Sequence, residues 1–179
     1  MNLSRVFADV FVPTAVALAT SAAFAAQGSG PTDPQIAAIV VAANQVDIDA
    51  GKLAETKASS KDVKAFAERM VADHGGVNKQ AVELVTKLKV KPEENDTSRG
   101  LKSSGDATLK KLQALKGAEF DRAYVDNEVT YHQTVLDAVD KTLIPSAQNA
   151  ELKSLLVKVR PAFVAHLEHA KHLQSSLKK

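Results

Sequence analysis

Apolar residues recur at three- and four-residue steps along four long stretches of the chain. This spacing places them on one face of a helix, so the pattern predicts amphipathic helices rather than strands. Pro34 suits the first helical position after a cap at Thr32 or Asp33, and Ser59 or Ser60 can cap the second helix. The helices are predicted at about residues 34–57, 61–88, 118–142 and 149–177.

The connection between the second and third helices is rich in Gly, Asn and Ser. This composition predicts a loop over residues 89–105, followed by a short helix over residues 107–115. A helix of ~24 residues is ~36 Å long, so a connection of about thirty residues can run the whole length of the bundle. The sequence therefore predicts an all-α, ferritin-like antiparallel four-helix bundle whose long crossover carries a short extra helix. A simple up-down bundle is the alternative.

Two features inside the predicted helices are expected to disturb them. Gly75 and Gly76 interrupt the apolar stripe of the second helix and are expected to loosen it. Pro161 lies inside the fourth helix, where a proline removes a hydrogen bond and is expected to produce a kink.

The amino-terminal segment has the pattern of a signal peptide. Arg5 precedes an almost uninterrupted run of apolar and small residues, and Ala23-Phe24-Ala25 fits the small-x-small cleavage rule. The run is shorter than the ~20 residues that a membrane span requires. We therefore expect a signal peptide over residues 1–25, a flexible leader over 26–32 and the bundle domain over 33–178. The expected location is the periplasm or cell envelope, with no transmembrane segment after cleavage.

The composition excludes several classes of function. The chain has no Cys, which excludes disulfides, iron–sulfur clusters and thiol catalysis. Its net charge is +2, with acidic and basic residues interspersed, so nucleic acid is not an expected partner. No phosphate-binding glycine loop, nucleophile elbow or zincin motif is present, so an enzyme is the least supported class.

Five polar residues fall on the predicted core faces of the helices. They are Asp47 in the first helix, His74 in the second, Glu128 and His132 in the third, and His166 in the fourth. Buried carboxylates and imidazoles are costly unless they are paired or bound to a metal, and helical bundles build metal sites from such inward-facing groups. The pattern predicts a site for a divalent transition metal ion, with a hydrogen-bonded network that needs no ion as the alternative.

Counting residues along the helices argues against one site that contains all five. By this count, His132 and His166 are ~10 Å apart along the bundle axis, which is too far for one ion. The axial level of Glu128 agrees better with that of His166. Two smaller sites or a ladder of polar residues are therefore alternatives.

The Glu-x-x-His motifs of di-iron proteins are also absent. Val71, Val129 and Phe163 stand where the motif would place a glutamate. A ferroxidase or oxygenase di-iron centre is therefore not expected.

Three blocks of sequence stand out: residues 51–54, residues 63–74 with Met70-Val71-Ala72-Asp73-His74 at their end, and residues 117–124 with Phe120-Asp121-Arg122-Ala123-Tyr124. With His132, Pro161 and His166 downstream, they resemble a bacterial exported family of unknown function that is grouped with the ferritin-like superfamily and often named as outer-membrane proteins. The resemblance covers about residues 32–177. It implies a four-helix bundle and a periplasmic location, and it implies no established reaction.

By position, the resemblance also implies roles for individual residues. His74, His132 and His166 match the histidine positions of the family, with Asp73, Asp121 and Tyr124 as companions. Asp73 and Asp121 are expected either on the helix surface or as partners that orient an imidazole. The family commonly carries Glu in the first helix where this chain has Asp47 and Asp49. Any carboxylate ligand there would therefore have a shorter side chain in this protein.

Three functional hypotheses follow from these observations. The first is an exported bundle that binds a divalent transition metal for storage, buffering or stress protection, without catalysis. The second is an interaction or structural module of the envelope, with an envelope protein or a second copy as partner. The third is an acid sensor, because buried histidines that gain charge at low pH destabilise a fold.

Overall fold

The computed structural model describes residues 30–178 of the 179-residue chain. The predicted signal peptide and most of the predicted leader lie outside these residues. In this part of the chain the structure is all-helical, as predicted. Its helices are α1 (Asp33–Lys57), α2 (Lys61–Lys87), α3 (Asp96–Ala114), α4 (Gly117–Ala138) and α5 (Ala150–Ser176). A π-helical turn, Val139–Leu143, and a three-residue helical turn, Ile144–Ser146, connect α4 to α5.

The predicted starts of α1 and α2 agree with the structure. The Gln35 side chain accepts a hydrogen bond from the Thr32 N–H, and Pro34 lies in the first turn of α1. Ser60 caps α2 by accepting a hydrogen bond from the Val63 N–H. These local contacts satisfy backbone groups that have no partner inside the helix, so both helices begin where a capping residue is available.

The predicted loop over residues 89–105 was wrong from Asp96 onward, because α3 begins there and is a 19-residue helix. Asn95 accepts a hydrogen bond from the Ser98 N–H, and the Ser98 hydroxyl accepts one from the Asn95 N–H. The polar residues that indicated a loop thus form a reciprocal cap at the start of a helix.

Gly105 in α3 has a packing role. A Cβ atom built at this position would lie 2.7 Å from Cγ2 of Val46 on α1, which is closer than real carbon atoms approach. The glycine therefore lets α3 lie close against α1. By contrast, α2 continues as one helix through Gly75 and Gly76. Pro161 lies inside α5 as predicted.

Hydrogen bonds at the two ends of the bundle define its topology. At one end, the carboxylate of Asp33 accepts from the N–H groups of residues 148 and 149, which precede α5. At the other end, the carboxylate of Asp121 accepts from the N–H groups of residues 59 and 60, in the turn between α1 and α2. The pairs α1/α2 and α4/α5 are therefore antiparallel hairpins.

Helix α3 crosses between the two hairpins. Just before it, the Glu93 N–H donates to the Pro34 carbonyl at the start of α1. Near its other end, Lys57 at the end of α1 donates to the Gln113 carbonyl. The crossover thus runs the whole length of α1, as predicted, but as a longer helix than expected.

The core consists of two apolar clusters along the bundle axis. One contains residues from the first half of α1 and from α5 up to Leu167, and the other contains Ala50 and Ala54 of α1 and Leu173 of α5. Along α1, α2 and α4 the polar core residues occur where the chain passes from one cluster to the other. No helix within residues 30–178 is long and apolar enough to cross a membrane.

Candidate metal centre

The five predicted site residues meet between the two apolar clusters. Each is at most 3% exposed. We call this set the polar centre: Asp47 from α1, His74 from α2, Glu128 and His132 from α4, and His166 from α5. Two groups of three have ligand atoms that all lie within 4.8 Å of one another: His74, His132 and His166, and Asp47, Glu128 and His132. Because the groups share His132, they form one continuous cluster.

The imidazole rings and the Asp47 carboxylate are in close contact. The ring centroids are 5.5 Å apart for His74 and His132, 5.2 Å for His74 and His166, and 5.4 Å for His132 and His166. Oδ2 of Asp47 lies 3.2 Å from Nε2 of His74 and 3.5 Å from Nε2 of His132. Oε2 of Glu128 lies 3.5 Å from Nδ1 of His132.

The predicted axial offset between His132 and His166 was therefore wrong. The count treated the chain after residue 142 as a turn, whereas helical structure continues through Ile144–Ser146. His132 then lies about fourteen residues before the end of its arm of the hairpin, and His166 about sixteen residues into the other arm. At 1.5 Å per residue this is an offset of ~3 Å. Glu128 meets Asp47 and His132, rather than His166 as expected.

The outward-facing nitrogen of His74 is held by a buried amide. Nδ1 of His74 lies 2.7 Å from Oδ1 of Asn44, and Nδ2 of Asn44 donates to the Val40 carbonyl at 2.8 Å. The second bond fixes the orientation of the amide, so its oxygen faces the ring and the ring nitrogen donates to it. Nε2 of His74, which faces the polar centre, therefore carries a lone pair.

The other two rings are held in the same way. Nδ1 of His132 donates to the backbone carbonyl of Glu128 at 3.1 Å, and Nε2 of His166 donates to Oδ2 of Asp73 at 2.8 Å. These bonds leave Nε2 of His132 and Nδ1 of His166 as lone-pair nitrogens directed inward. An outer partner that fixes the tautomer and orientation of a ring is a regular feature of metal-binding histidines.

The atoms that face the interior of the polar centre have no hydrogen-bond partner among the described residues. They are Nε2 of His74 and of His132, Nδ1 of His166, both carboxylate oxygens of Asp47, and Oε2 of Glu128. All six are buried, and all are able to donate an electron pair. Buried polar atoms in proteins are almost always partnered, so this group has the arrangement expected of a site that holds a ligand.

Burial also controls the charge of the polar centre. It lowers the pKa of His132 to about 4, with the nearby His166 adding to the effect. Burial lowers the pKa of His74 well below 6.5, with His132 and His166 contributing. It raises the pKa of Asp47 to about 7, and burial together with Asp47 raises the pKa of Glu128 well above 4.5. Near neutral pH the rings are thus uncharged and ready to coordinate, and a bound cation would favour the ionised carboxylates.

The three predicted companions have different positions. Asp73 contacts the polar centre directly through His166 and also pairs with Arg69 at 3.2 Å. Asp121 is buried, but it binds the turn between α1 and α2 through Ser59 and Ser60, and so serves the packing of the bundle.

Tyr124 is completely buried on α4, one turn before Glu128. Its ring stacks on Phe120 at a centroid distance of 6.2 Å, and its hydroxyl has no hydrogen-bond partner. Burial and the nearby Glu128 and Asp47 raise the pKa of Tyr124 well above 10. The residue therefore borders the polar centre as a neutral phenol.

Sequence reasoning missed Asn44 and Tyr131. Asn44 lies three residues before Asp47, on the same face of α1, and this spacing was the available signal. The Tyr131 hydroxyl donates to the Ala43 carbonyl at 2.8 Å and so ties α4 to α1 beside the polar centre. No sequence signal distinguished Tyr131 from an ordinary surface tyrosine.

Comparison with known families gives one assignment. Residues 17–173 match the family described as Domain of unknown function (DUF4142). The chain belongs to DUF4142. This confirms the predicted membership of a family of unknown function, and the match includes all five residues of the polar centre. No curated protein and no solved structure matched this DUF4142 chain.

Proposed function

We propose that this DUF4142 protein binds one divalent transition metal ion at the polar centre. The observation that carries the proposal is the set of six inward-facing donor atoms without a hydrogen-bond partner. The outer nitrogen of each imidazole is already held by Asn44, by the Glu128 carbonyl or by Asp73. A network without an ion is the alternative, in which a protonated Asp47 donates to Nε2 of His74 at 3.2 Å.

The donor set favours transition metals over calcium and magnesium. Three imidazole nitrogens suit zinc, copper, nickel or iron, whereas calcium and magnesium prefer oxygen ligands throughout. His74, His132 and His166 would supply three ligands. Asp47, 3.2 Å from Nε2 of His74, would supply a fourth ligand, and Glu128 would help to balance the charge of the ion.

One ion is expected rather than two. The two groups of three ligands share His132, and Nδ1 of this residue is already bonded to the Glu128 carbonyl. Only Nε2 of His132 is free to coordinate, so a second ion would have only Asp47 and Glu128 as side-chain ligands.

We further propose that the protein is exported to the periplasm or cell envelope and that its bundle is of the ferritin-like type. The signal-peptide pattern of the first 25 residues supports export. Two antiparallel hairpins joined by a full-length crossover support the ferritin-like type. Storage, buffering or stress protection is the expected role, since none of these requires a reaction at the site.

Metal titration tests this function. Metal-free protein mixed with zinc should bind one equivalent by elemental analysis and become more stable to heat, while magnesium and calcium should have no effect. Replacing His74, His132 and His166 by Gln should abolish binding, and His172→Gln on the exposed side of α5 should leave it intact. If zinc, copper, iron and manganese all fail to bind to the folded protein, the polar centre is a structural network and the protein is better treated as an interaction module.

A further inference from the structure

Two adjacent glycines follow His74 in the middle of α2, and packing does not account for them. A Cβ atom built at Gly75 or Gly76 would meet nothing within 4 Å among residues 30–178 beyond the neighbouring backbone of its own helix. At Gly51 in α1, by contrast, a Cβ atom would lie 2.8 Å from Cγ2 of Val71 on α2. Each glycine makes its turn of helix about two- to fivefold less favourable than alanine would. The glycine pair therefore weakens α2 without bringing another helix closer.

The two halves of α2 on either side of the pair are packed differently. The first half contains four fully buried apolar residues: Val63, Phe66, Ala67 and Met70. In the second half, residues 77–87, the buried residues are Val77, at 7% exposure, and Ala81, at 3%. Since local opening occurs where few apolar contacts are buried, the second half is the part of α2 that opens more easily.

An open groove of about 490 Å³ separates the second half of α2 from the start of α5. Two exposed contacts cross it. Nζ of Lys87 lies 2.5 Å from Oε2 of Glu151, and Nζ of Lys158 donates to the Gln80 side chain at 3.0 Å. Exposed contacts of this kind contribute little to stability. Residues 77–87 are therefore only weakly held on the side of α5.

The donor atoms of the polar centre are not accessible from solvent. Nε2 of His74 is buried, as are the other five inward-facing atoms, so an ion reaches them only if part of the bundle moves. His74 directly precedes the glycine pair, and Val77 lies one turn after it on the same buried face of α2. Outward movement of residues 77–87 would take Val77 and Ala81 out of the core beside His74.

We propose that Gly75 and Gly76 form a hinge, about which residues 77–87 swing outward to admit the metal ion to the polar centre. This inference rests on the proposed function, because it concerns how an ion reaches that site. The first half of α2 stays packed while the second half opens. The hinge thus sets the rates of metal uptake and release. It leaves the affinity unchanged, because the ligands are the same once the helix has closed.

Replacing both glycines, Gly75→Ala with Gly76→Ala, tests the hinge, since the added methyl groups have free space. Stopped-flow mixing of zinc with the full, metal-free chain should give uptake about tenfold slower than in the unchanged protein. Release to a chelating dye should slow by the same factor, so the equilibrium affinity should not change. Gly100→Ala, at an exposed position of α3 with equally free space, is the matched control and should alter neither rate. Unchanged rates in the double variant would overturn the proposal.

Hydrogen exchange tests the hinge without a metal ion. In the unchanged protein, the backbone N–H groups of residues 78–81 should exchange about tenfold or more faster than those of residues 67–70, because local opening exposes only the first set. The double variant should slow the exchange of residues 78–81, whereas Gly100→Ala should not, since this opening does not involve α3. Equal protection of the two sets would also overturn the proposal. If neither protein binds zinc at equilibrium, the proposed function fails, and the exchange pattern alone decides whether the hinge exists.

Discussion

Oδ2 of Asp73 on α2 lies 2.8 Å from Nε2 of His166 on α5, although the Asp73 side chain is 41% exposed and the His166 side chain is fully buried. The contact joins the two hairpins and directs the other ring nitrogen of His166 into the polar centre. A carboxylate at the surface thus sets the tautomer of a buried imidazole.

We therefore expect Asp73→Ala to weaken zinc binding about 10- to 100-fold, the usual effect of removing a partner that orients a metal ligand. Competition with a chelating dye measures this affinity. Glu68→Ala, which removes an exposed carboxylate from the same helix, is the matched control and should leave it unchanged. Equal affinities for the two variants would mean that Asp73 does not orient His166 for an ion.

Glu128 should make the metal-free protein less stable as the pH rises. Its folded-state pKa lies well above 4.5 through burial and the nearby Asp47, so the folded protein keeps a proton that the unfolded chain releases. Stability from such a group is complete below pH 4.5 and is lost as the pH rises towards the folded-state pKa. Asp47 acts in the same direction, because it is already ionised in the unfolded chain at pH 7, whereas in the folded protein its pKa is about 7. The imidazoles are mostly neutral in both states from pH 7 upward, so the two carboxyl groups set the slope there.

Over the pH range in which Glu128 is ionised in the unfolded chain but still protonated in the folded protein, we expect it to lower the free energy of unfolding by on the order of 1 kcal/mol per pH unit. Urea unfolding at a series of pH values measures the slope. In Glu128→Gln, which is neutral at every pH, the part of the slope that Glu128 contributes should vanish and the fall in stability with pH should be shallower. The same slope in both proteins would show that Glu128 is ionised in the folded state.

The hydroxyl groups of Tyr124 and Tyr131 should have opposite effects on stability. The Tyr124 hydroxyl is buried without a partner, so Tyr124→Phe should stabilise the metal-free protein by about 1 kcal/mol. The Tyr131 hydroxyl donates to the Ala43 carbonyl, so Tyr131→Phe should destabilise it by a similar amount. Thermal unfolding of the two variants measures both effects, and a loss of stability in Tyr124→Phe would contradict the structure around that hydroxyl.

Two glycines of α3 offer a test of its packing. Gly100→Ala has free space around the added methyl group and should stabilise the helix by about 0.5–1 kcal/mol. Gly105→Ala would bring a methyl group against Val46, and we expect it to destabilise the protein by about 1 kcal/mol or more in spite of the better helix propensity. Urea unfolding compares them. If Gly105→Ala were as stable as Gly100→Ala, α3 would not lie as close to α1 as the structure places it.

Much of the fold could be predicted from the chain because the signals are local. The spacing of apolar residues and the caps at Thr32 and Ser60 depend on neighbours within one or two helical turns, and they located α1 and α2 well. The error in α3 arose because Asn95 and Ser98 have the composition of a loop. Only their reciprocal hydrogen bonds make them a helix cap, and only the contact with Val46 explains a glycine inside that helix.

The sequence by itself determined which side chains face the core: periodicity alone selected Asp47, His74, Glu128, His132 and His166. Only the tertiary structure decided that they meet, because their separation depends on how helical structure continues after α4 and on how the two hairpins align. The tertiary structure also decided which nitrogen of each ring faces inward. That choice depends on Asn44, the Glu128 carbonyl and Asp73, whose contacts form only when separate parts of the chain pack together.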